Sequence, residues 1–229
     1  MRVWITPLGQ HIELVQPWRG KRLVDFLLAC FLLALLSPML FCVSLVVKLT
    51  SPGPVFYRDS RLGIAGKVYS MLKFRSMLHN APPLLTQGGK LIVSKSDPRL
   101  TPVGRLLRTL HLDEMPQLLN VIKGDMSFVG PRPGQPAFEH LYTREAYERL
   151  RVHPGITGLG AVVGGRFLEN ASLYAVEAAY VRQQSPMLDL LIVLLTPVYA
   201  SCGTQIPRVL LARYLKGIQL TELAGEQEH

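Results

Sequence analysis

Residues 23–47, LVDFLLACFLLALLSPMLFCVSLVV, hold 16 Leu, Val or Phe in 25 positions and one charge, Asp25. At roughly 0.3 to 0.6 kcal/mol each near a bilayer centre, those side chains favour insertion by about 5 to 10 kcal/mol, against about 3 for a deeply placed Asp. The segment therefore reads as a membrane helix. It starts too late and runs too long for a secretory signal, and no small-residue cleavage site follows it, so it is expected to stay in the mature chain. Ser37-Pro38 falls in its middle, where proline lacks the backbone donor and clashes with the carbonyl four residues back. A kink or break is expected there, with the Ser37 hydroxyl available to a backbone group that the proline frees. Basic residues flank both ends: Arg19, Lys21 and Arg22 before, Lys48, Arg58, Arg61, Lys67, Lys73 and Arg75 after. Two basic flanks suit a helix that dips into one leaflet and returns to the cytoplasmic side. On these residues alone a kinked spanning helix stays open.

Beyond the apolar run, residues 51–80 alternate apolar and basic positions between glycines and prolines, which predicts short strands or a hairpin at the membrane surface. HNAPPLLTQGG reads as a loop. Residues 97–133 read as two short helices meeting near Met115-Pro116, with Leu106, Leu107 and Leu110 on one apolar face, Pro116 at a first helical position and Gly124 as a stop. VHPGITGLGAVVGGR is read as a folded loop because of its glycines. Residues 171–184 and 188–200 read as helices, the second too short to span a bilayer. The expected organisation is an N-terminal segment 1–50 with the membrane helix over about 21–48, a catalytic region 51–220 continuous with it, and a polar tail 221–229.

With 229 residues the chain suits one well-buried domain, and its formal net charge of +9 suits phosphate-bearing partners: nucleotides, nucleic acid or anionic lipid. Cys30, Cys42 and Cys202 lie in or beside apolar runs, with neither metal-ligand spacing nor an even count, which suits a reducing compartment. No GxxxxGK[ST], no GxGxxG after a strand and no His/Cys cluster is present, so ATP-driven chemistry and structural zinc find no support. Aromatic residues do not interleave with basic ones as stacking platforms would, which argues against a nucleic-acid partner.

The chemistry-bearing residues lie between 73 and 133. Asp113-Glu114 puts two carboxylates just before Pro116, at the start of a helix. Acidic residues there commonly do no more than complement the helix dipole. Their company points further: Arg108 lies one to two turns back, and Lys73, Arg75 and Arg132 supply cations for phosphate. In VGPRPG, Pro131 and Pro133 bracket Arg132 and hold it in a stiff loop, which suits either a simple turn or a nucleotide site. His153 is read as a loop histidine rather than a catalytic base.

Taken together, KRLVDFLLACFLLALLSPML, SPGPVFYRDSRLGIAGK, KFRSM, LDEMPQLLNVIKGDMSFVGPRP and HPGITG strongly resemble the bacterial sugar transferases, the monotopic phosphoglycosyl transferases, over about residues 20–200. The chain resembles their minimal catalytic form, without the multi-span region of larger members. The resemblance implies an α+β, mostly helical monotopic fold, with a small β element and an N-terminal re-entrant helix broken at Ser37-Pro38. It implies transfer of a sugar 1-phosphate from a UDP-sugar to undecaprenyl phosphate, with release of UMP, at the cytoplasmic face of a bacterial inner membrane and among its lipids. By position, Asp113 matches the nucleophile that forms a covalent aspartyl intermediate, and Glu114 its Mg²⁺-binding neighbour. Pro131, Arg132 and Pro133 match the uridine-nucleotide site, and Lys73 and Arg108 match cations near the phosphates. Arg75 is grouped with these cations, and a homodimer is left open.

Two departures stand out. Where the family commonly reads Gly-x-Ala-Gln-Val-x-Gly-Arg, this chain has GLGAVVGGR, so Ala161 replaces the glutamine and the arginine falls one place late, at Arg166. Glu177 stands where an Asp is usual. An unusual sugar is one expected consequence. The competing reading is a catalytically silent membrane scaffold of the same fold, whose mark would be a broken Asp-Glu or Pro-Arg-Pro motif; both are intact.

Overall fold

The computed structural model describes residues 3–5, 9, 11–81, 97–164, 168–202 and 208–219. Within them the chain is mostly helical, with three two-stranded sheets. Strands β1 (Val3–Ile5) and β2 (His11–Glu13) pair antiparallel ahead of the long helix α1 (Lys21–Thr50). A hairpin follows, β3 (Phe56–Leu62) with β4 (Val68–Phe74), in a register that sets Tyr57 opposite Lys73. Helices α2 (Pro102–Thr109) and α3 (Gln117–Lys123) come next, joined through a single 3₁₀ turn at Leu112–Glu114. Strand β5 (Ser127–Val129) pairs parallel with β6 (Gly155–Thr157), and α4 (Arg144–Glu148) lies between them in sequence. Three helices close the fold: α5 (Leu159–Val162), α6 (Asn170–Gln183) and α7 (Pro186–Cys202).

The α1 run has a mean hydropathy of 2.6 over its best 18-residue window, and among the described residues it alone is long and apolar enough to cross a bilayer. Leu23, Phe31, Leu35, Phe41 and Leu49 stand exposed along it. Its other face is spent on the protein. Ala29 packs with Met71, Leu118, Val121 and Met126, while Leu40 and Val47 pack with Phe74 and Leu107. Asp25, the one charge of the run, faces inward, where it accepts hydrogen bonds from Ser127 Oγ at 2.6 Å and Phe128 N at 3.2 Å. No bilayer cost falls on it.

The expected break at Ser37-Pro38 is not a break in the helix, which continues through both residues. Pro38 removes the donor that would bond the carbonyl of Ala34, and Ser37 Oγ donates to that same oxygen at 2.8 Å. One substituted hydrogen bond keeps the turn together. The glycine-rich stretch corrects a second expectation, since it forms β6 and α5 rather than a loop. Its glycines allow close backbone approach: a Cβ on Gly155 would lie 2.2 Å from Gly130 N, and one on Gly158 would lie 2.1 Å from Gly130 O.

A second core joins α5, α6 and α7 to β5 through Leu159, Val162, Val176, Tyr180, Leu188 and Ile192 around Val129. The start of α1 is tied to this core by one buried polar knot. Asp189 accepts from Lys21 Nζ at 2.5 Å, Trp18 Nε1 at 2.9 Å and Tyr180 Oη at 2.8 Å. Breaking a buried ion pair leaves an uncompensated charge, typically a loss of about 3–5 kcal/mol, whereas replacing both partners by apolar groups is often neutral. Asp189→Leu alone is therefore expected to lower the unfolding midpoint in detergent sharply, and Lys21→Met with Asp189→Leu to recover most of it, as read by thermal unfolding of the three proteins.

Candidate active site

The short helix α3 positions the two carboxylates. Thr101 caps α2 by accepting from Gly104 N at 2.8 Å, and the chain turns at His111, which takes a left-handed φ of 55°. The 3₁₀ turn then presents Asp113 and Glu114 just ahead of Pro116, which caps α3. Gly124 ends α3 at φ 90°, as its glycine predicts. Asn120, on α3, bonds the backbone of β4 and so fixes the carboxylates against the strand that carries Lys73. Lys73 Nζ lies 2.7 Å from Glu114 Oε1, with both side chains mostly buried.

The two carboxylates differ in electrostatics. Burial raises the Asp113 carboxyl above its ordinary range, the charge of Glu114 adds to that, and Lys73, Arg108 and His111 only partly oppose it. For Glu114 burial acts upward too, but Lys73, Arg132 and His111 outweigh it and hold its carboxyl low. Glu114 thus ionises first and Asp113 second. No described residue donates a hydrogen bond to the Asp113 carboxylate, which leaves its oxygens unengaged inside a ring of cations. Two adjacent carboxylates fit Mg²⁺, which takes one or two carboxylates from protein and its other ligands from water and substrate phosphates. Among the described residues no group of three or more His, Cys, Asp or Glu forms a dedicated metal cage.

Of the cations expected here, Lys73, Arg108 and Arg132 are brought together. Arg108 is held through Nε, which donates to Ser76 Oγ at 2.9 Å, and its charge acts on Asp113. Arg132 stands exposed between two buried prolines, Pro131 and Pro133, and acts on Glu114. Arg75 is placed elsewhere. It is buried, and its Nη2 donates to Val47 O at 3.1 Å and Ser51 O at 2.7 Å, closing the C-terminal end of α1. Arg166 lies outside the described residues. His153 lines a separate cavity with Lys21 and Arg22; burial and those two cations lower its pKa to about 4, so it is neutral at physiological pH.

A pocket opens at Glu114, next in sequence to Asp113, and is lined also by Lys73, Arg132, Pro133, Arg61, Gln117, Ala161 and Glu177. Both departures from the family pattern, Ala161 and Glu177, therefore face this one pocket. Arg61 and Gln117 sit inside motifs quoted from the sequence, yet nothing in a linear pattern gives them a role. Arg61 pairs with Asp59 and donates to Pro133 O at 3.2 Å, so hairpin and loop share a wall. Arg149 has no motif signature, and only packing brings it beneath Arg132.

Comparison with known proteins agrees with this arrangement. The profile of the family described as "Bacterial sugar transferase" matches residues 16–202. The chain is 42% identical over 186 residues to the UDP-glucose:undecaprenyl-phosphate glucose-1-phosphate transferase of Escherichia coli strain K12, covering 77% of this chain and 39% of that protein. It is 38% identical over 202 residues to the exopolysaccharide production protein ExoY of Sinorhizobium fredii, covering 82% of this chain and 89% of that one. A third relative, the UDP-N-acetylgalactosamine-undecaprenyl-phosphate N-acetylgalactosaminephosphotransferase of Aeromonas hydrophila, is 38% identical over 184 residues, covering 77% of this chain and 42% of that one. The chain thus spans about two-fifths of the first relative and nearly all of ExoY. A site of paired carboxylates and converging cations, inside a match over most of the sequence, gives one conclusion: this chain belongs to the bacterial sugar transferase family.

Proposed function

We propose that this chain moves a sugar 1-phosphate from a UDP-sugar to undecaprenyl phosphate, releases UMP, and so begins a polysaccharide or glycoconjugate. The observation that carries the reading is Asp113, a buried carboxylate with no hydrogen-bond donor on it among the described residues, beside an ionised Glu114 and among Lys73, Arg108 and Arg132. Such a group is a nucleophile rather than a structural tie. The names of the relatives support the substrates: two carry a UDP-sugar and undecaprenyl phosphate, and the third exopolysaccharide production.

The proposed reaction runs in two displacements. An Asp113 oxygen attacks the phosphorus that bears the sugar; the bond from that phosphorus to the bridging oxygen breaks, and its electron pair leaves on UMP. An oxygen of undecaprenyl phosphate then attacks the same phosphorus, and the bond to Asp113 breaks to restore the carboxylate. No proton has to move in either step. Two unit charges ~4 Å apart repel by about 4 kcal/mol at an effective dielectric near 20, equivalent to roughly a thousandfold in rate. Lys73 and Arg108, whose charges already act on Asp113, oppose that repulsion in the resting protein, while Arg132 faces the pocket where the diphosphate would lie. A Mg²⁺ held by Glu114, with Asp113 beside it, would neutralise charge on the departing phosphate when bound.

The membrane arrangement we propose is re-entrant, with α1 bent rather than broken at Pro38 and both its ends in the cytoplasm. Its support is the length over which the polar body packs on α1, from Lys21 and Asp25 through Ala29 and Leu40 to Val47, with Arg75 bonded to the last turn. At 1.5 Å per residue a helix of 30 residues is about 45 Å long, longer than a hydrocarbon core of ~30 Å. Perpendicular spanning would carry the attached body into lipid.

Three outcomes test this. With UDP-glucose, UDP-galactose and UDP-N-acetylhexosamines offered in turn with Mg²⁺ but no lipid, the protein should release UMP from at least one and gain the mass of that sugar phosphate. Asp113→Asn should abolish both by about 10³-fold or more, and full turnover by that variant would sink the covalent route. The pH dependence follows from the raised Asp113 carboxyl: the reactive anion is lost as pH falls through it, so the acid limb of kcat/KM should lie above the ordinary carboxylate value near 4. Folding favours the neutral Asp113, so its cost to stability is fully present above the folded pKa and vanishes below the unfolded one. Asp113→Asn should accordingly raise the unfolding midpoint at pH 7.5 and lose that gain toward pH 4. For topology, single cysteines replacing Arg2 or Thr221 in a chain without its native cysteines should both resist a membrane-impermeant thiol reagent applied outside intact cells; labelling of one alone would establish a spanning helix.

A further inference from the structure

Arg132 presents a contrast between its backbone and its side chain. Its N–H donates to Glu177 Oε1 at 2.9 Å, and its carbonyl accepts from Nη2 of Arg149. Pro131 and Pro133 stand on either side, and the loop is tied at both ends: Gly155 N donates to Pro131 O at 2.9 Å, and Leu62 N donates to Gly134 O at 2.8 Å. The guanidinium of Arg132, in contrast, makes no hydrogen bond or ion pair with any described residue; its charge acts on Glu114, and Arg132 is one of the residues that line the pocket there.

The two groups that hold the backbone also hold each other. Arg149 Nε and Glu177 Oε2 form an ion pair at 2.9 Å, with side chains 7% and 3% exposed. The Arg149 guanidinium lies 4.9 Å from the Tyr174 ring centre and 5.6 Å from that of Tyr142. Tyr142 in turn closes on the end of the loop, since a Cβ on Gly134 would fall 1.6 Å from its hydroxyl oxygen. Buried ion pairs are poor sources of stability, because desolvation cancels most of the attraction. This one has its fork and its carboxylate turned onto the two backbone groups of a single residue.

We propose that Arg149 and Glu177 are positioning residues that lock the Arg132 backbone, so that its unpaired guanidinium is already aimed at the anionic nucleotide of the donor. The inference deepens the transferase reading and rests on it for the identity of the nucleotide. Preorganisation of this kind acts on affinity, because the ordering of a free loop is completed before the ligand arrives. Glu177 has Oε1 taken by Arg132 N and Oε2 in ion-pair contact with Arg149 Nε, so it acts through Arg132 although it reaches the pocket wall.

The test is a double-mutant cycle read by calorimetric binding of UDP to the full chain in nanodiscs, with UMP release from UDP-glucose measured in parallel. Arg132→Ala is expected to weaken UDP binding about tenfold or more. Glu177→Gln and Arg149→Lys are expected to weaken it comparably, and Glu177→Asp to restore part of the loss. Arg132→Ala combined with Glu177→Gln should bind no worse than Arg132→Ala alone. In turnover the single variants should raise KM for the UDP-sugar while leaving KM for undecaprenyl phosphate unchanged. Losses that multiply in the double variant, equal rises in both KM values, or a wild-type chain that does not bind UDP would overturn the proposal. Should Glu177→Gln fail to fold, the same cycle built on Arg149→Lys separates these outcomes. UDP binding that follows the cycle, with no UMP release from UDP-glucose, UDP-galactose or any UDP-N-acetylhexosamine, would sink the transferase reading and leave the clamp standing.

Discussion

The site depends first on a neutral side chain. Asn120 is fully buried on α3, and its amide pairs with the open edge of β4: Oδ1 accepts from Leu72 N at 2.9 Å, and Nδ2 donates to Ser70 O at 2.8 Å and to Asp125 Oδ2 at 3.1 Å. A helix side chain thereby stands in for a third strand. Leu72 immediately precedes Lys73, and α3 begins just after Glu114, so the amide sets the contact between them. A substitution that left those backbone groups unpaired would carry their full desolvation cost.

Around that join the fold separates two uses of positive charge. The chain carries 25 Lys and Arg, and several of these are structural ties with acceptors of their own. Lys21 holds Asp189, Arg75 closes the end of α1, and Arg149 holds Glu177 and the Arg132 carbonyl. Others are left with charge to offer: Arg132 makes no internal pair with any described residue, and Arg108 is anchored through one nitrogen. A phosphate would therefore meet fewer donors than the count of 25 Lys and Arg suggests, since the structural ties face partners inside the protein.

The apolar helix belongs to the same design. Its exposed side carries Leu23, Phe31, Leu35, Phe41 and Leu49, and its buried side carries Lys21, Asp25 and the apolar residues that pack on α3 and the hairpin. The helix is thus a wall of the core, and it holds the carboxylates at a fixed distance from its exposed apolar face. In the proposed reaction a soluble donor and a lipid-bound acceptor would then meet at one place, which replaces a search through solution by geometry.

The sequence by itself determined the elements whose signals are local. The apolar run, the hairpin, the two short helices around Pro116 and the stop at Gly124 were all legible, because hydrophobic period and capping chemistry are written within a few residues. So was the grouping of Lys73, Arg108, Asp113, Glu114 and Arg132, since linked motifs carried it as a set. Local rules misjudged residues 155–162, because glycine spacing says nothing about the backbone of Gly130 that Gly155 and Gly158 must approach. At Pro38 the expected break is replaced by a helix that runs on, while the Ser37 hydroxyl meets the freed carbonyl as the sequence had suggested. Only the tertiary structure separated Lys73 from Arg75, two residues apart and identical in sign, one facing a carboxylate and the other a helix end. Only it brought Arg149 and Glu177, 17 and 45 positions from Arg132, onto the backbone N–H and carbonyl of that one residue. The physical reason is that the role of a charge is set by its partner and its burial, and both are decided by packing between segments that no local pattern relates.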